Sequence, residues 1–259
     1  MTLGTVTDLQ ATPGTTPNEL CRLLGYYIPG DGGGGDFYWD AASTETPNGG
    51  TIFSTGTTGR WKRLIEGPLN VRWFGAKGDD IADDTAAFTA AIKCNGDIRK
   101  EIDVPAGTYK INSTVYLPRW TTLKGNGAVL KGGNIFETGY FDAAGTVISN
   151  ASQLPDTDPK RCIDLKISGF TFEGVNNAFT LNNFEEGSFV TDCMFLSCTS
   201  CIRSRNAFYS SFHRLICRGT QNIAEPAFPS TCAAGKKSGI RTPTEASGRP
   251  IICRPSMRA

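Results

Sequence analysis

The most regular pattern of apolar positions lies between residues 167 and 224, where five positions recur in three consecutive blocks. The blocks are Ile167, Phe170, Phe172, Ala178 and Phe179; Val190, Cys193, Phe195, Cys201 and Ile202; and Phe212, Leu215, Cys217, Ile223 and Ala224. The second block follows the first after 23 residues, and the third follows the second after 22. A period near 22 without helices predicts a coiled β-solenoid, in which each turn stacks its inward side chains on the turn below, about 4.8 Å away.

The first 68 residues predict a small β module. Its strand-like runs, "CRLLGYYI", "DFYW", "TIFS" and "RWKRLI", are separated by strong turn signals. The glycine-rich stretch "PGDGGGGD" at residues 29–36 lacks the Gly-Lys-Ser/Thr of a phosphate-binding loop, and no long helix follows it. A turn is therefore favoured over a nucleotide site, because glycine adopts positive φ without strain.

A helix is predicted over residues 85–93, "TAAFTAAIK", because Phe88 and Ile92 share one face. This helix is well placed to cover the N-terminal end of the solenoid, whose exposed strand edges would otherwise pair with other chains. Beyond it, "EIDVPAGTYKI", "TVYLPRWTTLKGNGAVL" and "GTVIS" are strand-like runs.

An aspartate cluster precedes the helix and allows two interpretations. Its members are Asp79, Asp80, Asp83 and Asp84. Calcium loops alternate oxygen ligands and turn at a glycine, and "DDIADD" does not have that order. Helix capping is favoured: Asp84 or Thr85 accepts hydrogen bonds from the first free N–H groups, and the acidic residues upstream, including Asp83, favour the positive end of the helix dipole.

Charge and cysteine content narrow the functional classes. The 26 Lys and Arg residues nearly balance the 25 Asp and Glu residues, so no net field favours nucleic acid or an anionic membrane. No apolar run is long enough for membrane insertion, and residues 1–20 lack the features of a secretory signal peptide. Nine cysteines without a regular framework indicate free thiols in a reducing compartment.

The C-x-x-C at Cys198 and Cys201 allows a zinc site or a set of buried thiols. Cys193 and Cys217 lie near it in the sequence, as does His213, the single histidine of the chain. Since three of these cysteines fall on the apolar ladder and a second C-x-x-C is missing, the buried thiols are favoured. His213 follows an inward residue, so we expect it on the surface.

Residues 71–92 followed by "IDVPAGTYKI" resemble a known family motif. "NVRWFGAKGDDIADDTAAFTAAI" is similar to the opening segment of the pectate-lyase-like superfamily, whose pattern is F-G-A-K-G-D-G-x-x-D-D-T, a short helix and then x-x-P-x-G-x-Y. Asp80 replaces the glycine of that pattern. The upstream module is similar to those that precede such β-helices in bacteriophage tailspikes. The resemblance implies an all-β chain with a right-handed parallel β-helix, capped by one helix and preceded by a small β module.

The predicted organisation has three parts: a β module at 1–68, an incomplete β-helix at 69–225 and a basic, Pro/Ser-rich tail at 226–259 that reads as disordered. Because the apolar ladder stops near Glu225, we hypothesise a truncated chain, for example through a frameshift that removes the catalytic groove. The alternative is a natural basic tail that binds phosphate or nucleic acid.

Candidate site residues follow from the chemistry of polysaccharide cleavage. Glycoside hydrolysis uses two carboxyl groups, which on a solenoid would sit on neighbouring or next-nearest turns. The catalytic candidates are Asp164, Glu173, Glu186 and Asp192; Glu185 is a further carboxylate expected to point outward. The local register pairs Asp164 with Gly187, and Asp192 with Arg214. Aromatic candidates for sugar stacking are Trp120, Tyr140 and Tyr209.

The resemblance implies three functions. The first is a homotrimeric phage tailspike that recognises, and in an active form depolymerises, bacterial surface polysaccharide as a glycoside hydrolase or polysaccharide lyase. Its location would be the virion tail, extracellular after lysis. The second is a stand-alone pectate-lyase-like or polygalacturonase-like enzyme, and the third is a non-catalytic structural fibre. No cofactor or resident metal is expected, apart from calcium if the chemistry is that of a lyase.

Overall fold

The computed structural model describes residues 1–142, 147–149, 162–205, 207, 209–219 and 222–227. The helices are α1 (Val6–Ala11) and α2 (Thr85–Ile98), with a 3₁₀ turn at Val71–Phe74. The strands are β1 (Thr2–Leu3), β2 (Leu20–Leu23), β3 (Gly35–Asp40), β4 (Ile52–Ser54), β5 (Arg60–Arg63), β6 (Leu69–Asn70), β7 (Asp79–Asp83), β8 (Glu101–Ile111), β9 (Val115–Leu117), β10 (Thr122–Gly132), β11 (Asn134–Phe141), β12 (Val147–Ser149), β13 (Lys166–Glu173), β14 (Asn177–Asn182), β15 (Phe189–Thr191), β16 (Met194–Leu196), β17 (Ser200–Arg205), β18 (Ser211–His213), β19 (Ile216–Arg218) and β20 (Asn222–Ala227).

The N-terminal part is a five-stranded sheet in the order β1-β2-β3-β5-β4, antiparallel except between β1 and β2. The four longer strands fall on the four predicted runs, but β2 covers only the first part of "CRLLGYYI" and ends at Leu23. The helix α1 and the short β1 were not predicted. The sequence does contain a signal for α1, since Thr5 and Asp8 form a capping box in which each side chain bonds the other residue's backbone N–H.

Between Leu69 and Ala227 the described residues coil into a parallel solenoid, which confirms the predicted β-helix. One parallel sheet stacks β18-β15-β13-β10-β8-β6, and a second stacks β11, β14, β17 and β20. The predicted register is also confirmed: Ile167, Val190 and Phe212 are successive partners. Phe172 pairs with Phe195, and their rings stack with centroids 5.3 Å apart. These side chains form one continuous apolar core, to which α2 contributes Phe88 and Ile92.

The apolar ladder continues upstream of the three predicted blocks. Ile102, Leu123 and Ile167 are successive register partners, so β8 and β10 form the preceding turns. The simple repeat does not reveal them, because a register shift in β10 and the long segment before β13 break the spacing. The domain boundaries at 68 and 225 stay predictions, and residues 228–259 of the predicted tail lie outside the described residues. Strand β20 continues the solenoid to Ala227, two residues beyond the predicted boundary.

The aspartates before α2 have separate roles. Asp83 Oδ1 accepts a hydrogen bond from the Thr85 N–H at 3.0 Å, so it caps the first residue of the helix. The prediction for the Asp84 and Thr85 side chains was wrong. Asp84 is buried, and its carboxylate accepts from the N–H groups of Lys77 and Gly78 at 2.6 and 3.1 Å, so it closes the preceding loop instead. The Thr85 hydroxyl accepts from the backbone of residues 112 and 113.

Asp79 and Asp80 complete this picture. Asp79 accepts bonds from the N–H groups of Ile81 and Ala82. Asp80 has a left-handed backbone with φ of 62°, the conformation that glycine adopts without strain, and this explains the glycine of the family pattern. Its carboxylate forms an ion pair with Lys131 at 2.8 Å. The helix itself runs to Ile98, five residues beyond the prediction.

The N-terminal sheet contacts the solenoid directly. The Arg72 guanidinium donates to the carbonyl oxygens of Asp31 and Ala106, both at 3.0 Å. The Arg63 guanidinium lies 4.5 Å from the Trp73 ring centroid, and Asn48 Nδ2 lies 3.5 Å from the Cys94 sulfur on α2. None of the helices in the described part of the chain is long and apolar enough to span a membrane.

Candidate functional site

One edge of the solenoid brings three of the candidate residues into a single row. In the first parallel sheet, each of the strands β8, β10, β13, β15 and β18 is preceded, two positions earlier, by a residue with a left-handed backbone and φ between 51° and 74°. These residues are Arg99, Trp120, Asp164, Gly187 and Tyr209, and we call the row the left-handed edge. The strand residues that follow them are register partners, so neighbours in the row are about 4.8 Å apart. Trp120 and Tyr209 are then roughly 14 Å apart along the axis.

Backbone bonds between turns hold this edge in place. The Trp120 N–H donates to the Ile163 carbonyl at 2.9 Å, and the Asp164 N–H donates to the Glu186 carbonyl at 2.9 Å. A left-handed backbone is common for glycine and tolerated by aspartate, but it is strained for bulky side chains such as Trp and Tyr. Strained residues of this kind cluster at functional sites. In this coil, however, positive φ also occurs at Asn183, Ser197 and Arg214, so at Trp120 and Tyr209 it reflects the geometry of the corner.

Trp120 is the centre of a cationic cluster. The guanidinium carbons of Arg99 and Arg119 lie 3.9 and 3.8 Å from its ring centroid, which is close enough for cation–π attraction. Arg99 is exposed, and among the described residues no carboxylate lies within ion-pair distance of it. Arg99 thus presents positive charge beside a flat apolar ring, a combination suited to an acidic sugar.

Asp164 is the second candidate on this edge, and its neighbourhood is as the register predicted. Its exposed carboxylate lies against Gly187 on the next turn, so that a Cβ atom added to Gly187 would collide with it. Lys166 Nζ lies 3.6 Å from the same carboxylate. Glu186 is exposed beside Gly187, so Asp164 and Glu186 are the two catalytic candidates that the fold places on neighbouring turns.

Glu173 and Asp192 lie elsewhere. Glu173 stands at the opposite end of β13 from Asp164, with its carboxylate 3.9 Å from Lys131. Asp192 pairs with Arg214 on the next turn through two hydrogen bonds, as predicted. The guanidinium of Arg214 lowers the pKa of Asp192, although both side chains are largely exposed. Neither carboxylate shares a face with Asp164.

The remaining candidates have separate surroundings. Tyr209 is 87% exposed, which suits a stacking residue at the edge. Tyr140 lies on β11, in the second sheet rather than on the edge. His213 is exposed, as expected. Glu185, in contrast, was expected to point outward but is only 3% exposed, because the chain turns inward between β14 and β15 and brings its backbone against Cys162.

The cysteines and aspartates do not converge on a metal site. Within the described ranges there is no group of three or more His, Cys, Asp or Glu residues that could hold a metal ion. The Cys198 sulfur donates to the carbonyl oxygens of Phe172 and Leu196, whereas the Cys201 sulfur contacts Cys217 on the next turn. The left-handed edge was not predicted as a unit. Its signal in the sequence is the constant offset before each strand, at positions 164, 187 and 209.

Comparisons with known families divide the chain into the same two kinds of structure. Residues 2–66 match a phage tail protein small four-stranded β-sheet domain. Residues 69–165 match the rhamnogalacturonase A/epimerase, pectate-lyase-like family. The resemblance of the opening motif to pectate-lyase-like proteins is therefore confirmed.

Individual relatives are phage proteins. Over 106 residues the chain is 28% identical to a capsule K2-specific depolymerase of Klebsiella phage vB_KpnP_KpV74, and the match spans 41% of this chain and 18% of the relative. The fold is similar to the gp42 tailspike of Acinetobacter phage vb_AbaP_AS12, with a TM-score of 0.64 and 16% identity, covering 83% of this chain and 39% of that one. It is also similar to the enzymatically active domain of tailspike protein 4 from bacteriophage CBA120, with a TM-score of 0.54 and 17% identity, covering 88% and 33%. The chain spans well under half the length of these relatives.

Proposed function

We propose that this chain belongs to a phage tailspike that binds a bacterial surface polysaccharide along the left-handed edge of its solenoid. The observation that carries the proposal is the order of the two family matches: a phage tail β-sheet domain at 2–66 is followed at 69 by a pectate-lyase-like segment. A stand-alone pectinase would have no need of a phage tail domain. The proposed location is the virion tail, and the proposed assembly is a homotrimer.

The edge supplies the groups that a glycan chain requires. Aromatic rings bind the apolar faces of sugars, and Tyr209 presents such a ring at one end of the row. At the other end the Trp120 ring is stacked against Arg99 and Arg119 and holds their guanidinium groups in place. The guanidinium groups of Arg99 and Arg119 favour a sugar that carries a carboxylate or another acidic substituent. Asp164 accepts hydrogen bonds from sugar hydroxyls between the two rings. The glycan would then lie parallel to the solenoid axis, contacting one turn after another.

Cleavage is a second proposal, supported by the positions of Asp164 and Glu186. Retaining hydrolysis needs two carboxyl groups about 5–5.5 Å apart, and inverting hydrolysis needs about 6.5–9.5 Å. The Cα atoms of residues on adjacent turns, offset by one residue, are roughly 6 Å apart, and side-chain rotation would bring the two carboxylates into this range. One carboxylic acid would protonate the leaving oxygen, while the other carboxylate acts as nucleophile or activates water.

The binding proposal is tested with the full chain on a panel of capsular and O-antigen polysaccharides, with plant pectin as the comparison. Interferometry measures the affinity of the unaltered chain and of W120A, Y209A and R99A. Removing one aromatic ring should weaken binding about 2- to 13-fold, since such contacts contribute about 0.5–1.5 kcal/mol. Y140A is the matched control, because Tyr140 lies on the other sheet, and its affinity should be unchanged.

Three results would decide between the alternatives. Binding to pectin alone would favour the stand-alone enzyme, and binding to no glycan would favour the structural fibre. Equal affinity for W120A, Y209A and the unaltered chain would mean that the glycan does not bind along the left-handed edge.

A reducing-end assay on the bound glycan, repeated with D164N and E186Q, tests cleavage. Light scattering tests the homotrimer, which should have three times the mass of one chain.

A further inference from the structure

Two thiols on successive turns of the solenoid meet in the core. Cys201 lies in β17, and Cys217 lies in β19, where it is the register partner of Phe195 on the turn that contains Cys201. Their sulfur atoms are 3.4 Å apart. Cys201 is only 1% exposed, and Cys217 is partly exposed. The contact thus joins a buried sulfur on one turn to a more accessible sulfur on the next.

This pair differs from Cys193 and Cys198, the two other buried cysteines on the turn that contains Cys201. Burial raises the pKa of the Cys193 thiol to about 12, which suppresses its reactive thiolate. Burial also raises the pKa of Cys198, and its sulfur is engaged with two backbone carbonyls. The hydrogen bond from Cys201 lowers the pKa of Cys217. Cys217 therefore combines accessibility, a stabilised thiolate and a second sulfur within reach.

We propose that Cys201 and Cys217 are an oxidation site whose product is a disulfide between two successive turns. With a small-molecule disulfide as the oxidant, the Cys217 thiolate attacks one of its sulfurs and expels one small thiolate. The Cys201 sulfur, after losing its proton, attacks the Cys217 sulfur of this mixed disulfide and expels the second small thiolate. The two protons from the protein end on the two released thiols, so two protein thiols are oxidised while one small disulfide is reduced.

The two sulfurs must come closer together for the bond to form. A disulfide bond is about 2.05 Å long, so the two sulfurs approach by roughly 1.4 Å through rotation of their side chains. The bond would close a loop between positions 201 and 217 and fasten the turn of β16 and β17 to the turn of β18 and β19. It forms when the chain passes from a reducing compartment to an oxidising one, and it does not depend on which glycan the protein binds.

The test begins with the unaltered full chain, incubated in its folded state with oxidised glutathione. Free thiols are then alkylated in denaturant, and the digested peptides are mapped by mass spectrometry. We expect a linked peptide pair containing Cys201 and Cys217, with both residues protected from alkylation. The oxidised protein should unfold at a higher urea concentration than the reduced protein, and a reductant should reverse that shift.

Single variants separate the two steps. In C201S the oxidation should stop at a glutathione adduct on Cys217. In C217S the Cys201 thiol should remain unmodified. C193S is the matched control, a ladder cysteine outside the pair, and it should still give the linked peptides. The proposal is overturned if the unaltered chain carries glutathione on Cys217 while Cys201 remains alkylated, if Cys217 links to another cysteine, or if both thiols stay free. The peptide map of the unaltered chain decides the outcome. A variant that fails to fold therefore leaves the test intact.

Discussion

The N-terminal sheet and the solenoid are stabilised by different kinds of interaction. The sheet encloses a small separate core around Phe37 and Trp61, and much of its remaining organisation depends on single polar residues such as Arg63 and Asp31. The solenoid repeats one arrangement, so each apolar side chain packs on its equivalents in the turns before and after it. Damage to the sheet should therefore be local, whereas damage to the solenoid should spread to neighbouring turns.

The largest expected effect is that of Phe172→Ala in the solenoid. The Phe172 ring is fully buried and contacts the rings of Phe136, Phe179 and Phe195. Its removal should lower the free energy of unfolding by about 3–5 kcal/mol, measured by urea denaturation. Hydrogen exchange should show lost protection in the turns on both sides. Protection lost in β13 alone would contradict the contrast between the two regions.

Next in size is Arg63→Met in the N-terminal sheet. The buried Arg63 guanidinium donates to the carbonyl oxygens of residues 33, 34 and 50 at 2.7–2.9 Å. Leaving these acceptors without their donor should cost about 3 kcal/mol. Hydrogen exchange should locate the loss in the sheet and its junction with the solenoid. The matched control is Arg60→Met, a half-buried arginine on the same strand, whose effect should be less than half as large.

Asp31→Asn should have a smaller effect that depends on pH. Partial burial alone would raise the pKa of Asp31, but bonds from four backbone N–H groups, including those of Tyr27 and Gly33, lower it overall. Asparagine retains one acceptor oxygen, so we expect a loss of about 1–2 kcal/mol at pH 7. Because the folded pKa is lowered, the advantage of the unaltered chain is present above about pH 4 and disappears as pH falls through that lowered pKa. A difference that stays constant between pH 7 and pH 2 would refute this account.

The smallest effect should come from Asp192→Ala in the solenoid. Its ion pair with Arg214 bridges two turns, but the side chains are 45% and 70% exposed. Exposed pairs contribute about 0.2–1 kcal/mol, and added salt screens them. A double-mutant cycle with Arg214→Ala measures the coupling energy. A coupling above about 2 kcal/mol would mean that the turns are held together by surface charge as much as by their core.

The sequence predicted the solenoid register best where the same residue types recur at the same spacing, as in Phe172 and Phe195. It failed where a position depends on contacts distant in the sequence. The inward turn of Glu185 is fixed by its backbone bond to Cys162, and the role of Asp84 by the loop at Lys77 and Gly78. Single-residue propensities could not reveal either.

The left-handed edge illustrates the same limit at the candidate site. Trp120, Asp164 and Tyr209 were each singled out by residue type. Their common row depends on the offset from strands whose register spans the long segment between β10 and β13. Positive φ at an aromatic residue also carries no local sequence signal, unlike positive φ at a glycine such as Gly187.

The left-handed edge also separates what the surface displays from what builds the fold. Three residues that directly follow edge positions, Thr121, Leu165 and Ser188, are buried, and each accepts a backbone hydrogen bond from the next turn through its carbonyl. The edge side chains themselves project away from that scaffold. A substitution in the row can thus change which sugar groups one turn binds, while the backbone of the solenoid stays the same. Such a surface is modular, and natural variants that shift from one host to another should differ at these positions first.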